Sequence, residues 1–306
     1  MWVEERNRRA YKISEENWSI VHRNIKDKYK DKDKPREYKD ISIISEIIMT
    51  NDVKEGENQA AKHQAECANK GYTEELLRAN TTLDIIQKLK KHNMYTVKEP
   101  LFCSLVVESL VCPFLCSNGT DIVLQGRSTD ESVGSKERRG KYGRIPDLSL
   151  LVQYNGHTAL PFVCEVKSPS HMQSLNSTTD VQNPDFIKLA NIMKDELDHM
   201  HFIEDKVVYG LLIEGFKCQL FVMDLLYYKL YRLTMLEQFY LPRDLYDIHA
   251  LIPCLRRMDA LERIMKKTTN KMLDDLSCIL PEQCATSPNR RLSRSLVSFR
   301  SPQKEE

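Results

Sequence analysis

Two strand-like runs joined by Asn155-Gly156 constrain this chain more than any other feature. Ile145 to Tyr154 alternates with a period of two. Leu148, Leu150, Val152 and Tyr154 fall on one face, and Asp147, Ser149, Leu151 and Gln153 on the other. Asn-Gly is a strong signal for a two-residue hairpin turn, because both positions tolerate positive φ. Thr158 to Lys167 is then the return strand, ended by Ser168-Pro169. Alternation puts Glu165 and Lys167 on one face of that strand. Leu160, Phe162, Cys164 and Val166 are expected on the other.

The hairpin gives weight to short patterns that are worthless alone. Acid-x-Lys recurs at Glu37–Lys39, Asp52–Lys54 and Glu204–Lys206, and Pro-Asp recurs at Pro184-Asp185. Only Pro146-Asp147 and Glu165-Val166-Lys167 sit on two strands joined in this way. Such an arrangement brings two carboxylates and an amine together. Two carboxylates suit a hard divalent cation, Mg2+ or Mn2+, through oxygen ligands. A lysine beside them can orient or activate a water for attack on a phosphodiester.

Composition bounds the alternatives. With 306 residues, 41% of them hydrophobic, the chain can bury a full core. Lys and Arg number 45 against 44 Asp and Glu, a formal charge of +1, so binding to a polyanion needs a local basic patch. The nine cysteines are irregularly spaced with no Cys-x-x-Cys, and Cys112 and Cys116 lack a second ligand pair. They are read as reduced and structural. Met1 to Ala10 is charged, unlike a signal peptide, and no apolar run is long enough to span a membrane. The expected setting is intracellular, nuclear or cytoplasmic.

Three regions follow along the chain. Residues 1–98 form a charged, mostly helical N-terminal extension, with helical spacing at Leu76, Leu77, Leu83, Ile86 and Leu89. Residues 99–280 carry the dense core, and residues 281–306 form a Ser/Arg-rich tail expected to be disordered. The core reads as a helix over Phe102 to Leu115 carrying Glu108, then a strand over Asp121 to Arg127. A polar loop over 128–143 follows, and with Arg144 it holds Lys136, Arg138, Arg139 and Lys141. The hairpin comes next, then a helix opening at Asn183-Pro184-Asp185 and strands at Val207–Glu214, Lys217–Leu225 and Leu230–Leu236. Leu251 to Leu276 supplies one or two closing helices. The fold class is α/β, with helices packed on a sheet.

This order, with Pro-Asp on the second strand and Glu-x-Lys on the third, resembles the PD-(D/E)XK nuclease-like superfamily over roughly residues 100–225. The resemblance implies a restriction-endonuclease-like core and a metal-dependent nuclease acting on DNA or RNA with Mg2+ or Mn2+. By that resemblance, Asp147 matches the metal-ligating aspartate, Glu165 the second acid and Lys167 the catalytic lysine. The Val166 carbonyl is a further possible ligand. Glu108 stands where many members carry an additional acid on the first helix. Lys188 stands where members carry a polar or basic residue facing the site. The basic stretch 136–144, ending at Arg144, would hold phosphates without reading sequence. The alternatives are a catalytically inactive nucleic-acid-binding module and a protein-interaction scaffold in which Glu165 and Lys167 are a simple ion pair. His199 and His201 are read as helix-end histidines and not as a metal pair.

Overall fold

The computed structural model describes residues 37–115, 122–126, 131–140, 142–154, 156–174, 184–201, 203, 205–227 and 230–278, with isolated positions between 14 and 29. Most of residues 1–36 of the expected helical extension, Cys116, Lys141, Asn155 and the tail 281–306 lie outside these residues.

The first elements fully within the described residues are the helices α1 (Lys39–Met49), α2 (Val53–Lys70) and α3 (Thr73–Lys91). Asp52 caps α2 by accepting from the Glu55 N–H at 2.9 Å, and Gly71, at φ 69°, ends it. Glu74 and Glu75 open α3, and Lys88, Lys90 and Lys91 close it, complementing the helix dipole. Next come α4 (Glu99–Phe102), a π-helical turn (Cys103–Val107) and α5 (Glu108–Leu115), which run on as one helix. Pro100 sits in its first turn, where a missing N–H costs nothing.

The remaining elements are β1 (Ile122–Gly126), α6 (Val133–Arg139), β2 (Leu148–Tyr154), β3 (His157–Lys167), α7 (Pro169–Ser174), α8 (Pro184–His199), β4 (Val207–Glu214), β5 (Lys217–Tyr227) and β6 (Leu230–Tyr240). A 3-10 turn (Leu245–Ala250) leads into the long α9 (Leu251–Ser277). The six strands form one mixed sheet in chain order. Among the described residues only β3 and β4 run parallel, and α7 and α8 lie in the crossover between them. The protein is therefore a mixed α/β fold. Among the described residues no helix is long and apolar enough to cross a membrane.

The hairpin forms in the expected register, with Tyr154 opposite His157 and Gly156 at φ 79°. Its interior departs from strict alternation. Leu150 pairs with Phe162, but Val152 pairs with Ala159, so one extra residue bulges from β3 beside Pro161. Proline has no N–H for the ladder, and a bulge accommodates that loss in a central strand. The expectation that Leu160 shares a face with Phe162, Cys164 and Val166 is thereby overturned. Leu160 packs in the core beneath α8, while the other three pack in the opposite core.

That opposite core also contains Ile41, Ile44 and Ile48 of α1, Ile85 and Ile86 of α3, and Leu255 and Met258 of α9. The N-terminal helices thus share a hydrophobic core with the sheet. A buried polar cluster joins them too: Arg78 of α3 donates to Asp259 of α9 at 2.8 Å, and the Tyr38 hydroxyl donates to the same carboxylate. Losing one partner of such a buried pair leaves an uncompensated charge.

The polar stretch 128–143, expected to be a loop, contains α6, capped by Ser132 accepting from the Ser135 N–H. Gly134 is what lets α6 lie against α8. A Cβ there would stand 2.3 Å from the Asp195 carbonyl oxygen and 2.6 Å from its carbon, both backbone atoms that cannot swing away. Gly134→Ala is expected to lower stability by about 1–3 kcal/mol through overpacking. The readout is a reduced urea midpoint at unchanged m-value, and an unchanged midpoint would contradict the contact.

Candidate active site

Side-chain alternation along β3 sends Cys164 and Val166 into the core under the N-terminal helices, so Glu165 and Lys167 project toward α8. Asp147, one residue before β2, joins them. Its N–H donates to the Cys164 carbonyl at 3.0 Å, and its Oδ2 accepts from the Val166 N–H at 2.7 Å. The backbone of one strand thus holds the carboxylate of the other in place. A strand residue directs its N–H and C=O to the same side. The Val166 carbonyl therefore also lies on the Asp147 side, just beyond the start of β2.

Glu165 is 1% exposed. Its Oε2 accepts from Lys188 Nζ at 2.7 Å, and its Oε1 is buried with no hydrogen-bond partner among the described residues. Burial pushes its carboxyl up to about 8; Lys188 opposes the shift and Asp147 adds to it. Lys167 does not pair with Glu165. Its Nζ lies 3.2 Å from Glu99 Oε2 and 3.8 Å from Asp185 Oδ1. Burial works to lower the Lys167 pKa, but Asp185, Glu99 and Asp147 together raise it, so the amine is held as an ammonium.

The structure brings Asp147, Glu165, Lys167 and Lys188 to one face of the sheet. Lys188, expected to face substrate, is the counter-ion of Glu165 and is 36% exposed along its side chain. Arg144 is half-buried behind them. Its Nη1 lies 3.5 Å from Asp195 Oδ2, and Arg138 reaches the other oxygen at 2.6 Å. Burial lowers the Arg144 pKa, and Asp195 and Glu165 partly offset this. Glu108 opens α5, half-buried. It stands nine residues after Glu99, roughly 13 Å of helical rise. The first helix therefore meets Lys167 through Glu99.

Glu99 and Asp185 were not legible as partners of Lys167. Each reads as an acid beside a proline at a helix start, Glu99-Pro100 and Pro184-Asp185. That is an ordinary dipole-stabilising position, and only tertiary packing turns both acids onto one lysine. His171 is exposed on α7. His199 has its Nδ1 3.1 Å from Glu137 and its Nε2 3.0 Å from the Thr158 carbonyl oxygen, as suits a structural histidine at a helix end.

A small divalent cation fits this donor set. Mg2+ is commonly held by one or two carboxylates and keeps several waters. Asp147, Glu165 with its unpartnered oxygen, and the Val166 carbonyl are the donors available. No cluster of three or more His, Cys, Asp or Glu side chains forms a metal cage among the described residues. No known protein family, curated protein or solved structure matches the chain.

An acid whose pKa is higher in the fold than in the unfolded chain keeps its proton longer when folded. Stability in metal-free buffer is therefore expected to fall as pH rises from the ordinary carboxylate range through about 8. Glu165→Gln is expected to flatten that decline and to exceed wild type by on the order of 2 kcal/mol above it. Urea unfolding in EDTA across this range provides the check. Parallel profiles for the two proteins would contradict a buried, charge-averse Glu165.

Proposed function

We propose that the chain is a metal-dependent nuclease that hydrolyses phosphodiester bonds in DNA or RNA, with a PD-(D/E)XK-like core. One observation carries the reading most: Glu165 keeps a buried oxygen with no hydrogen-bond partner among the described residues, its carboxyl feels the charge of Asp147, and Lys167 lies on the same face. An unpaired buried carboxylate oxygen is costly, and a bound cation is one way of completing it. The strand order and the parallel β3–β4 crossover are compatible with such a core.

Asp147 and Glu165, with the Val166 carbonyl, would hold Mg2+ or Mn2+. A cation bound there would acidify a coordinated water and offset charge on the scissile phosphate. Lys167 enters as an ammonium, so its part is to orient the attacking water and stabilise negative charge developing on the phosphoryl oxygens. Proton abstraction by its amine is disfavoured by the acids around it. Glu99 and Asp185 hold the Lys167 side chain, and Lys188 fixes one oxygen of Glu165, leaving the other to face the cation.

Purified protein is expected to cleave plasmid DNA or structured RNA with Mg2+ or Mn2+ and not in EDTA. Asp147→Asn, Glu165→Gln and Lys167→Met should each lower the rate by about 10²-fold or more without unfolding the protein. Full activity in any one of them would sink the assignment. A folded wild type that cleaves nothing would leave the binding-module and scaffold readings.

Glu99→Gln combined with Asp185→Asn should lower kcat by roughly tenfold with little change in KM, since outer partners orient the working group and do not bind substrate. A change confined to KM would assign these acids to substrate contact instead.

A further inference from the structure

We propose that the groove between the end of α3 and the start of α4 binds the phosphodiester backbone of the substrate strand beside Lys167. The N-terminal helices would then form part of the substrate-binding surface. The identity of the strand as substrate rests on the nuclease reading above.

The groove has a volume of about 550 Å³ and is lined by Lys91, His92, Asn93, Val97, Lys98 and Pro100 among others, none of them acidic. Lysines in the last turn of a helix ordinarily serve the dipole. Two of the three in α3 also have acidic partners. Lys88 lies 2.7 Å from Asp84 and also donates to Ser109, and Lys90 lies 2.6 Å from Glu57. Lys91 and Lys98 are exposed and make no ion pair among the described residues, and His92 is half-buried between them in sequence. Pro100 and Leu101, the latter 46% exposed, offer an apolar surface for a sugar or base.

Two contacts tie the groove to the candidate site. Ser170, three residues after Lys167, donates to the Val97 carbonyl at 2.9 Å. Glu99, directly after Lys98, meets Lys167 at 3.2 Å. A strand lying in the groove would thus run past the lysine. In a chain with a formal charge of only +1, such a local acid-free wall is what concentrates a polyanion at the site.

The test is fluorescence anisotropy of labelled single-stranded DNA, duplex DNA and RNA in EDTA, from low to physiological salt, with full-length protein. Wild type is compared with Lys91→Glu/Lys98→Glu and with Lys62→Glu/Lys70→Glu. The second pair changes charge equally at exposed α2 lysines that do not line the groove. The groove pair is expected to weaken binding about tenfold or more and to reduce the salt slope by about 2, with little effect from the α2 pair. Equal effects of the two pairs, no effect of the groove pair, no wild-type binding even at low salt, or equal competition by polyglutamate would overturn the proposal.

The two readings fail separately. Binding that depends on the groove, with no cleavage by wild type, would keep the groove and remove the nuclease. Metal-dependent cleavage with unchanged KM in Lys91→Glu/Lys98→Glu would keep the nuclease and remove the groove.

Discussion

Parallel strands cannot be joined by a tight turn; the chain must leave the sheet and return across one of its faces. Between β3 and β4 this forces α8 over the face that carries Asp147, Glu165 and Lys167. The consequences follow in order. Glu165 is buried beneath α8, Lys188 of that helix becomes its counter-ion, and Asp185 in the first turn reaches Lys167. Gly210 of β4 belongs to the same constraint. A Cβ there would meet the Met193 sulfur at 2.5 Å and Leu189 Cδ1 at 3.3 Å, so these α8 side-chain ends fill the space a larger residue would need. The sheet's other face takes α1, α3 and α9, which bring α4 and Glu99 to the edge of the site.

The site is built from two separate charge clusters that share a neighbourhood. Lys188 pairs with Glu165, while Glu99 and Asp185 hold Lys167. If Glu165 and Lys167 had paired with each other, both would have been quenched. Instead one Glu165 oxygen is buried with no hydrogen-bond partner among the described residues, and Lys167 remains an ammonium on the same face. A positive ion near Asp147 would relieve both the desolvation of Glu165 and its repulsion with Asp147, two of the three influences that raise its pKa, the third being Asp185.

Local patterns carried much of this into view. The period-two runs around Asn155-Gly156 determine the hairpin, and the bulge beside Pro161 then shifts its register by one, so that Leu148 pairs with Cys164 and the Asp147 carboxylate meets the Val166 N–H. Asp185 in the first turn of a helix was equally legible. Other features depend on contacts remote in sequence. Pro161 forces a bulge that reverses Leu160, which strict alternation does not anticipate. The polar stretch around Val133–Arg139 is helical because Ser132 caps it and because Gly134 lets it rest on α8. The choice of Glu99 over Glu108 as the acid nearest Lys167 depends on how the helix meets the end of β3, which helical periodicity by itself does not reveal.

The central claim is that Asp147 and Glu165 form a cation site, and anomalous diffraction from crystals grown with Mn2+ tests it most directly. The account predicts a peak within about 2.0–2.3 Å of the Asp147 carboxylate and Glu165 Oε1. The Val166 carbonyl would lie beside it, and Lys188 would stay on Oε2. A well-ordered Glu165 with no peak beside it at saturating Mn2+, or a Glu165 turned onto Lys167, would contradict it.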